Sequence, residues 1–204
     1  MPNWCENNVV LATKNKKKLE KIVDIIKNYD IDNENHRWLG LLNYLCPIPE
    51  EEKENWYHWC NENWGTKWEL DILETMDSDD IKIYMGVNDD NYKLQLNFNS
   101  AWSPPKEAFN HWVKNNRDVS LEMNYYEGGN SFCGRYCLAI VDEISVVIDK
   151  YYEDFCYWGR NDDRWEQGGV FGELDDIFGI KENCWFDDSD DSDDSDDSDD
   201  SDDE

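Results

Sequence analysis

Hydrophobic spacing changes period several times along this chain. Residues 7–12 (NNVVLA) are a short apolar run that reads as a strand, whereas Leu19, Ile22, Val23, Ile26 and Tyr29 recur at helical spacing over residues 15–29. Residues 30–62 keep neither period and read as an insertion with one short helix near 50–62. Trp64, Thr66 and Trp68 alternate with Gly65, Lys67 and Glu69, which predicts a strand carrying indoles on one face. The two-residue period returns at Ile81, Ile83, Met85 and Val87 and again at Leu94, Leu96 and Phe98. Turn formers from Asn88 to Asn91 between them make residues 81–99 a β-hairpin.

Ser103-Pro104-Pro105 predicts a helix start, with a capping hydroxyl and prolines in a first turn whose amides have no helical partner. Phe109, Trp112 and Val113 give that helix its buried face. Val119, Leu121, Met123 and Tyr125 alternate as a half-buried strand, and Phe132–Val141 adds another. Ile144, Val147, Ile148, Tyr151, Tyr152 and Phe155 predict a C-terminal helix ending near Gly159. The order strand, helix, hairpin, helix, strand, threaded through right-handed crossovers, specifies a ferredoxin-like α+β sandwich, an antiparallel sheet with two helices on one face. The expected organisation is a domain over 1–141 with an insertion at about 30–80, a helical extension over 142–186 packed on it, and a tail over 187–204.

Charge changes this picture at the C-terminus. The chain of 204 residues carries 48 acids against 19 Lys and Arg, a formal net charge of −29. Residues 187–204 read DDSDDSDDSDDSDDSDDE, with 13 acids and 5 serines; without them the charge is still −16. Such a tail has nothing to bury and repels itself, so it is expected to be disordered. An acidic body argues against direct nucleic-acid binding. The opening MPNWCENN is polar and no apolar run approaches a membrane span, so no membrane partner is expected and the expected location is cytoplasmic. Seven scattered cysteines read as reduced thiols.

Met1-Pro2-Asn3-Trp4-Cys5-Glu6-Asn7, Asn63-Trp64-Gly65-Thr66-Lys67-Trp68, Ala101-Trp102-Ser103-Pro104-Pro105 and Glu127-Gly128-Gly129 with Phe132 and Gly134 together resemble the YubB-type ferredoxin-like domain family. The resemblance covers roughly residues 1–140. It implies a ferredoxin-like fold without an iron–sulfur cluster, in a family found mainly on plasmids, phages and other mobile elements and without an established activity. The chain departs from the pattern in its Ser/Asp tail and in Asn99-Ser100, where a threonine is expected before Ala101. Its Asn-, Lys-, Asp- and Ile-rich composition fits an AT-rich genome such as that of a large DNA virus, in which case the location is the host cytoplasm.

The candidate partner surface is Trp64, Gly65, Thr66, Lys67, Trp68 and Trp102, joined by Trp4 and by Glu127 ahead of its glycine pair. Indoles dominate interface hot spots, and Lys67 between two of them is placed to hold an anion. The same indoles also fit a core or a covering layer, and Gly128-Gly129 also fits a plain turn. Zinc finds no ligand set. Cys46, His58 and Cys60 lack paired spacing, His36 and His111 stand alone, and Cys133 and Cys137 lie about 13 Å apart if strand-borne. No cofactor and no catalytic motif is present in the sequence. Lys14, Lys16, Lys17 and Lys18 open the first helix against its dipole and are a docking point for the tail or an acidic partner, or else a solvated face.

These readings lead first to a non-enzymatic protein-interaction module with an aromatic surface and an acidic tail, its protein partner expected to be basic. A second reading is an acidic nucleic-acid mimic that engages basic nucleic-acid-binding proteins. A third is an enzyme of unrecognised type.

Overall fold

The computed structural model describes residues 2–33, 38–87, 89–155, 165 and 168–184. The tail at 187–204, the expected helix end near Gly159, and His36, Asn88 and Cys156 lie outside the described residues. In chain order the elements are β1 (Trp4–Thr13), α1 (Lys16–Lys27), α2 (Leu41–Leu45), α3 (Trp56–Asn63), β2 (Ile83–Met85), β3 (Tyr92–Ala101), α4 (Lys106–Asn115) and β4 (Val119–Glu127). They continue as β5 (Phe132–Val141), β6 (Ile144–Glu153), α5 (Gly169–Phe178) and α6 (Ile180–Asn183). The sheet runs β2-β3-β1-β4-β5-β6 with every neighbouring pair antiparallel. Its first four strands, with α1 and α4, make the ferredoxin-like unit.

Alternation along β1 explains the layering. Cys5, Val9 and Leu11 are fully buried, and Val9 and Leu11 meet Leu96 and Leu94 of β3 and Met123 and Leu121 of β4 across the ladder. Leu19, Ile22 and Ile26 of α1 and Phe109, Trp112 and Val113 of α4 complete this core. Phe109 lies parallel to Phe98 with ring centroids 6.3 Å apart. Burial of each such side chain contributes about 1.5–3 kcal/mol relative to exposure.

Two of the four lysines at the start of α1 are paired within the domain. Lys18 pairs with Asp118, whose other carboxylate oxygen accepts from Thr13 Oγ1 at 3.0 Å, and Lys16 pairs with Glu20 at 3.0 Å. Partial burial pushes Asp118 up, and the hydrogen bonds from Lys18 and Thr13 outweigh it, leaving the carboxyl below its ordinary value. Lys18 is therefore engaged by the body.

Three local expectations give way to tertiary demands. Residues 64–68 form no strand: Trp64 ends α3 through its amide to Cys60 O at 2.8 Å, and Gly65 then takes φ +81°. Ser103 does not cap α4; its hydroxyl donates to Gly65 O, and Pro105 occupies the cap position. The helix expected over 144–155 is strand β6, reached by a tight turn in which Asp142 and Glu143 both have positive φ, the conformation that suits a twisted hairpin. The boundary expected at 141 thus falls inside the sheet. Helices do appear further on, as α5 and α6.

A second, smaller core forms on the opposite face of the sheet. Tyr126 and Cys133 are covered there by Phe155, Phe171, Leu174 and Ile180, and Arg135 of β5 pairs with Glu173 of α5. α5 stops at Gly179 in the left-handed region, φ +61°, where glycine meets no side-chain penalty.

The insertion is anchored by Glu69. Its carboxylate accepts backbone N–H bonds from Leu42 at 2.6 Å, Asn43 at 2.9 Å and Leu70 at 3.1 Å, holding the N-terminus of α2, and its stem fills the place a Cβ on Gly40 would need. The residue keeps some exposure, but its carboxyl end is enclosed, and that desolvation pushes it up to about 7 against the pull of the three amides. An acid raised in the folded state adds stability that is fully present below its unfolded value of 4.5 and is lost as pH rises through about 7. Urea unfolding across that window is expected to show the wild-type chain losing roughly 3 kcal/mol relative to Glu69→Gln. A pH-independent difference would contradict this.

A second expectation concerns Gly134. A Cβ there would lie 2.3 Å from Tyr125 Oη and 2.5 Å from Lys150 O, and the second of these is backbone that cannot swing aside. Gly134→Ala is expected to destabilise the chain by about 1–3 kcal/mol in urea unfolding.

Candidate functional site

The four motifs scattered over the sequence meet at one end of the sheet. Thr66 Oγ1 donates to Ala101 O at 2.8 Å, Ser103 Oγ donates to Gly65 O, and Trp102 N donates to Asn3 O at 2.9 Å. Ser100 Oγ accepts from Asn7 Nδ2 at 2.9 Å and donates to Ser103 O at 2.8 Å. The 64–68 loop is thereby laced to the ends of β1 and β3.

This lacing sorts the candidate residues into two groups. Trp64 is fully buried with its indole N–H on Cys46 O at 2.8 Å, and Thr66 is buried with its hydroxyl spent on Ala101. Glu127 is 1% exposed, and its carboxylate accepts the amides of Gly129 at 2.8 Å and Asn130 at 2.7 Å, which fixes the β4–β5 turn. These three hold the surface rather than form it, because their polar atoms are consumed internally. Gly65, Lys67, Trp68 and Trp102 reach the outside, on two sides of the loop.

On one side Trp68 packs against Trp4 with centroids 6.2 Å apart, and Lys67 Nζ lies 4.4 Å from the Trp68 ring and 5.2 Å from that of Tyr57. Lys67 is thus a clamp between two rings. Trp4 and Trp68 border a cleft of about 240 Å³ shared with Tyr29, Glu69 and Asp71.

On the other side lies a larger cleft of about 410 Å³, lined by Glu62, Gly65, Trp102, Lys106, Tyr125 and Tyr151 among others. Lys106 Nζ sits 5.5 Å from the centroids of both Tyr125 and Tyr136 and 3.4 Å from Asp149. Phe132 stacks on Tyr151 at 5.9 Å and meets Tyr125 edge-on at 6.3 Å. Tyr125 is 1% exposed, yet its hydroxyl has no hydrogen-bond partner among the described residues. Burial, reinforced by the charge of Asp149, pushes that phenol up and keeps it protonated.

Trp102 stands at the rim with φ +71° and is 46% exposed. A left-handed backbone costs a non-glycine residue about 1–2 kcal/mol. Here the fold gains no deep burial of the indole in return. Tyr125, Lys106 and Tyr151 escape a sequence reading because they lie in three elements. The available signals were Gly134, a glycine inside a strand, and the adjacency of Lys106 to Pro104-Pro105.

The remaining candidates stay apart. Among the described residues no group of three or more His, Cys, Asp or Glu could hold a metal ion. His58 pairs with Glu62 at 3.2 Å. Burial pushes Cys46 up to about 11 and Cys133 up to about 12, the latter aided by Cys184 and Asp175, so neither is a ready nucleophile. No described helix is long and apolar enough to cross a membrane.

Residues 82–166 match the family described as "Ferredoxin-like domain in Api92-like protein". That segment runs from β2 through β6, so the matched domain includes the two strands added beyond the four-stranded unit. No curated protein and no solved structure matches the chain.

The two tryptophans separate folding from surface. Trp64→Ala is expected to lose about 3–5 kcal/mol in urea unfolding through its cavity and the abandoned Cys46 carbonyl. Trp102→Gly should cost far less, within about 1–2 kcal/mol, because relief of the left-handed strain offsets the loss of a half-buried indole. Equal losses would show that Trp102 is a packing residue.

Proposed function

We propose that this chain is a non-enzymatic protein-interaction module of the YubB type, carried by a mobile element or virus, whose partner engages the aromatic end of the sheet while the acidic tail attracts basic surface. The observation that carries this reading is Trp102, held in a strained backbone with its indole half exposed beside a buried phenol whose hydroxyl has no hydrogen-bond partner among the described residues. Strain of this kind clusters at binding sites. Exposed indoles on a rigid frame supply the anchors that dominate interface energies. The four motifs that carry the family resemblance are the segments that build this end of the sheet, which supports a shared use for it.

Affinity purification from the native cell with the full chain, Trp102→Ala and a chain lacking residues 187–204 tests the reading. The full chain is expected to retain a partner that Trp102→Ala loses. Deletion of the tail should leave the melting temperature nearly unchanged and reduce salt-sensitive capture of basic proteins. Retention of the same partners by Trp102→Ala, with capture lost only on removing the tail, would favour the acidic mimic instead.

A further inference from the structure

We infer that the cleft bounded by Trp102, Tyr125 and Tyr151 receives an arginine side chain from an exposed basic segment of the partner. The inference rests on the reading of this cleft as a binding site and names the chemistry it takes. Its lining is aromatic, and the two exposed rings, Trp102 at 46% and Tyr151 at 53%, attract cations and offer surface on which a planar guanidinium stacks.

The charges at the cleft select the same sign. Glu62 and Glu107 line it, whereas its one lining cation, Lys106, already faces Asp149 at 3.4 Å and two tyrosine rings at 5.5 Å. The local balance is therefore negative. Outside it, the charge of −16 on residues 1–186 draws cations inward.

The hydroxyl of Tyr125 supplies the buried end of the site. It is neutral, enclosed and without a partner among the described residues, so it has lone pairs to accept an N–H from a group that reaches it. Gly134 leaves the room for that hydroxyl, since a Cβ would stand 2.3 Å from it. A guanidinium has five donors spread in one plane, matching acceptors placed both deep, at Tyr125, and at the mouth, at Glu62 and Glu107. An ammonium offers a compact point charge and cannot stack. An acidic ligand would meet the two glutamates, and a neutral one would forgo the attraction of the rings.

The test uses the full chain with N-acetyl-arginine amide, N-acetyl-lysine amide, N-acetyl-citrulline amide and N-acetyl-aspartate amide, followed by NMR at low salt. The arginine probe is expected to give saturable shifts at the Trp102 indole N–H and at Tyr125. Its affinity should exceed that of the lysine probe and fall about fivefold in Trp102→Ala, the scale of one cation–π contact. The double variant Glu62→Gln, Glu107→Gln alters only exposed carboxylates and should weaken the arginine probe without lowering the melting temperature. Equal binding of citrulline, saturation by the aspartate probe, or arginine binding indifferent to both variants overturns the assignment. If the arginine probe fails while Trp102→Ala still loses the cellular partner, the arginine assignment alone falls. If Trp102→Ala changes neither, the binding reading of the cleft falls with it.

Discussion

Side-chain hydroxyls bonded to main-chain carbonyls hold the 64–68 loop against the ends of β1 and β3, and the functional end of the molecule depends on that constraint. Thr66 and Ser103 make the two direct ties, to Ala101 and Gly65, while Ser100 links Asn7 to Ser103. Leaving a buried hydroxyl or carbonyl unpaired is costly, so each tie fixes a backbone position as well as a side chain. Gly65 at φ +81° and Trp102 at φ +71° are the conformations this lacing imposes.

From that arrangement follows the division of the aromatic residues. Trp64 is drawn inward to fill the core, Trp68 turns to Trp4, and Trp102 is left at the rim of the opposite cleft. The loop thus lies between the two clefts, with Gly65 lining one and Trp68 the other. Lys67 and Lys106 each lie over two rings, so both cations stiffen aromatic walls.

The added strands matter to the site as well as to the sheet. β5 supplies Gly134 and Phe132, and β6 supplies Tyr151 and the Asp149 that faces Lys106. A four-stranded ferredoxin-like unit would end at β4 and leave Tyr125 at an open edge. The second core, with α5 over Tyr126 and Cys133, covers the reverse face at this same place, so residues 123–127 of β4 are buried on both sides.

The sequence by itself determined the elements whose burial is one-sided. β1, α1, β3, α4 and the first half of β4 each keep one apolar face against the same core, so their period of two or 3.6 is written in the residues, and the ferredoxin-like order follows. Only the tertiary structure decided β6 and the 64–68 loop. In β6 nearly every side chain is exposed, so no alternation survives, and Ile144, Val147, Ile148 and Tyr151 mimic a helical stripe although the β-branched run Val146-Val147-Ile148 suits a strand. At 64–68 the alternation was real but came from a loop whose positions are set by hydroxyl bonds to residues about 35 positions away. The cleft was equally hidden, because Tyr125, Lys106 and Tyr151 become neighbours only when β4, α4 and β6 pack, and no local period records a meeting of side chains across three elements.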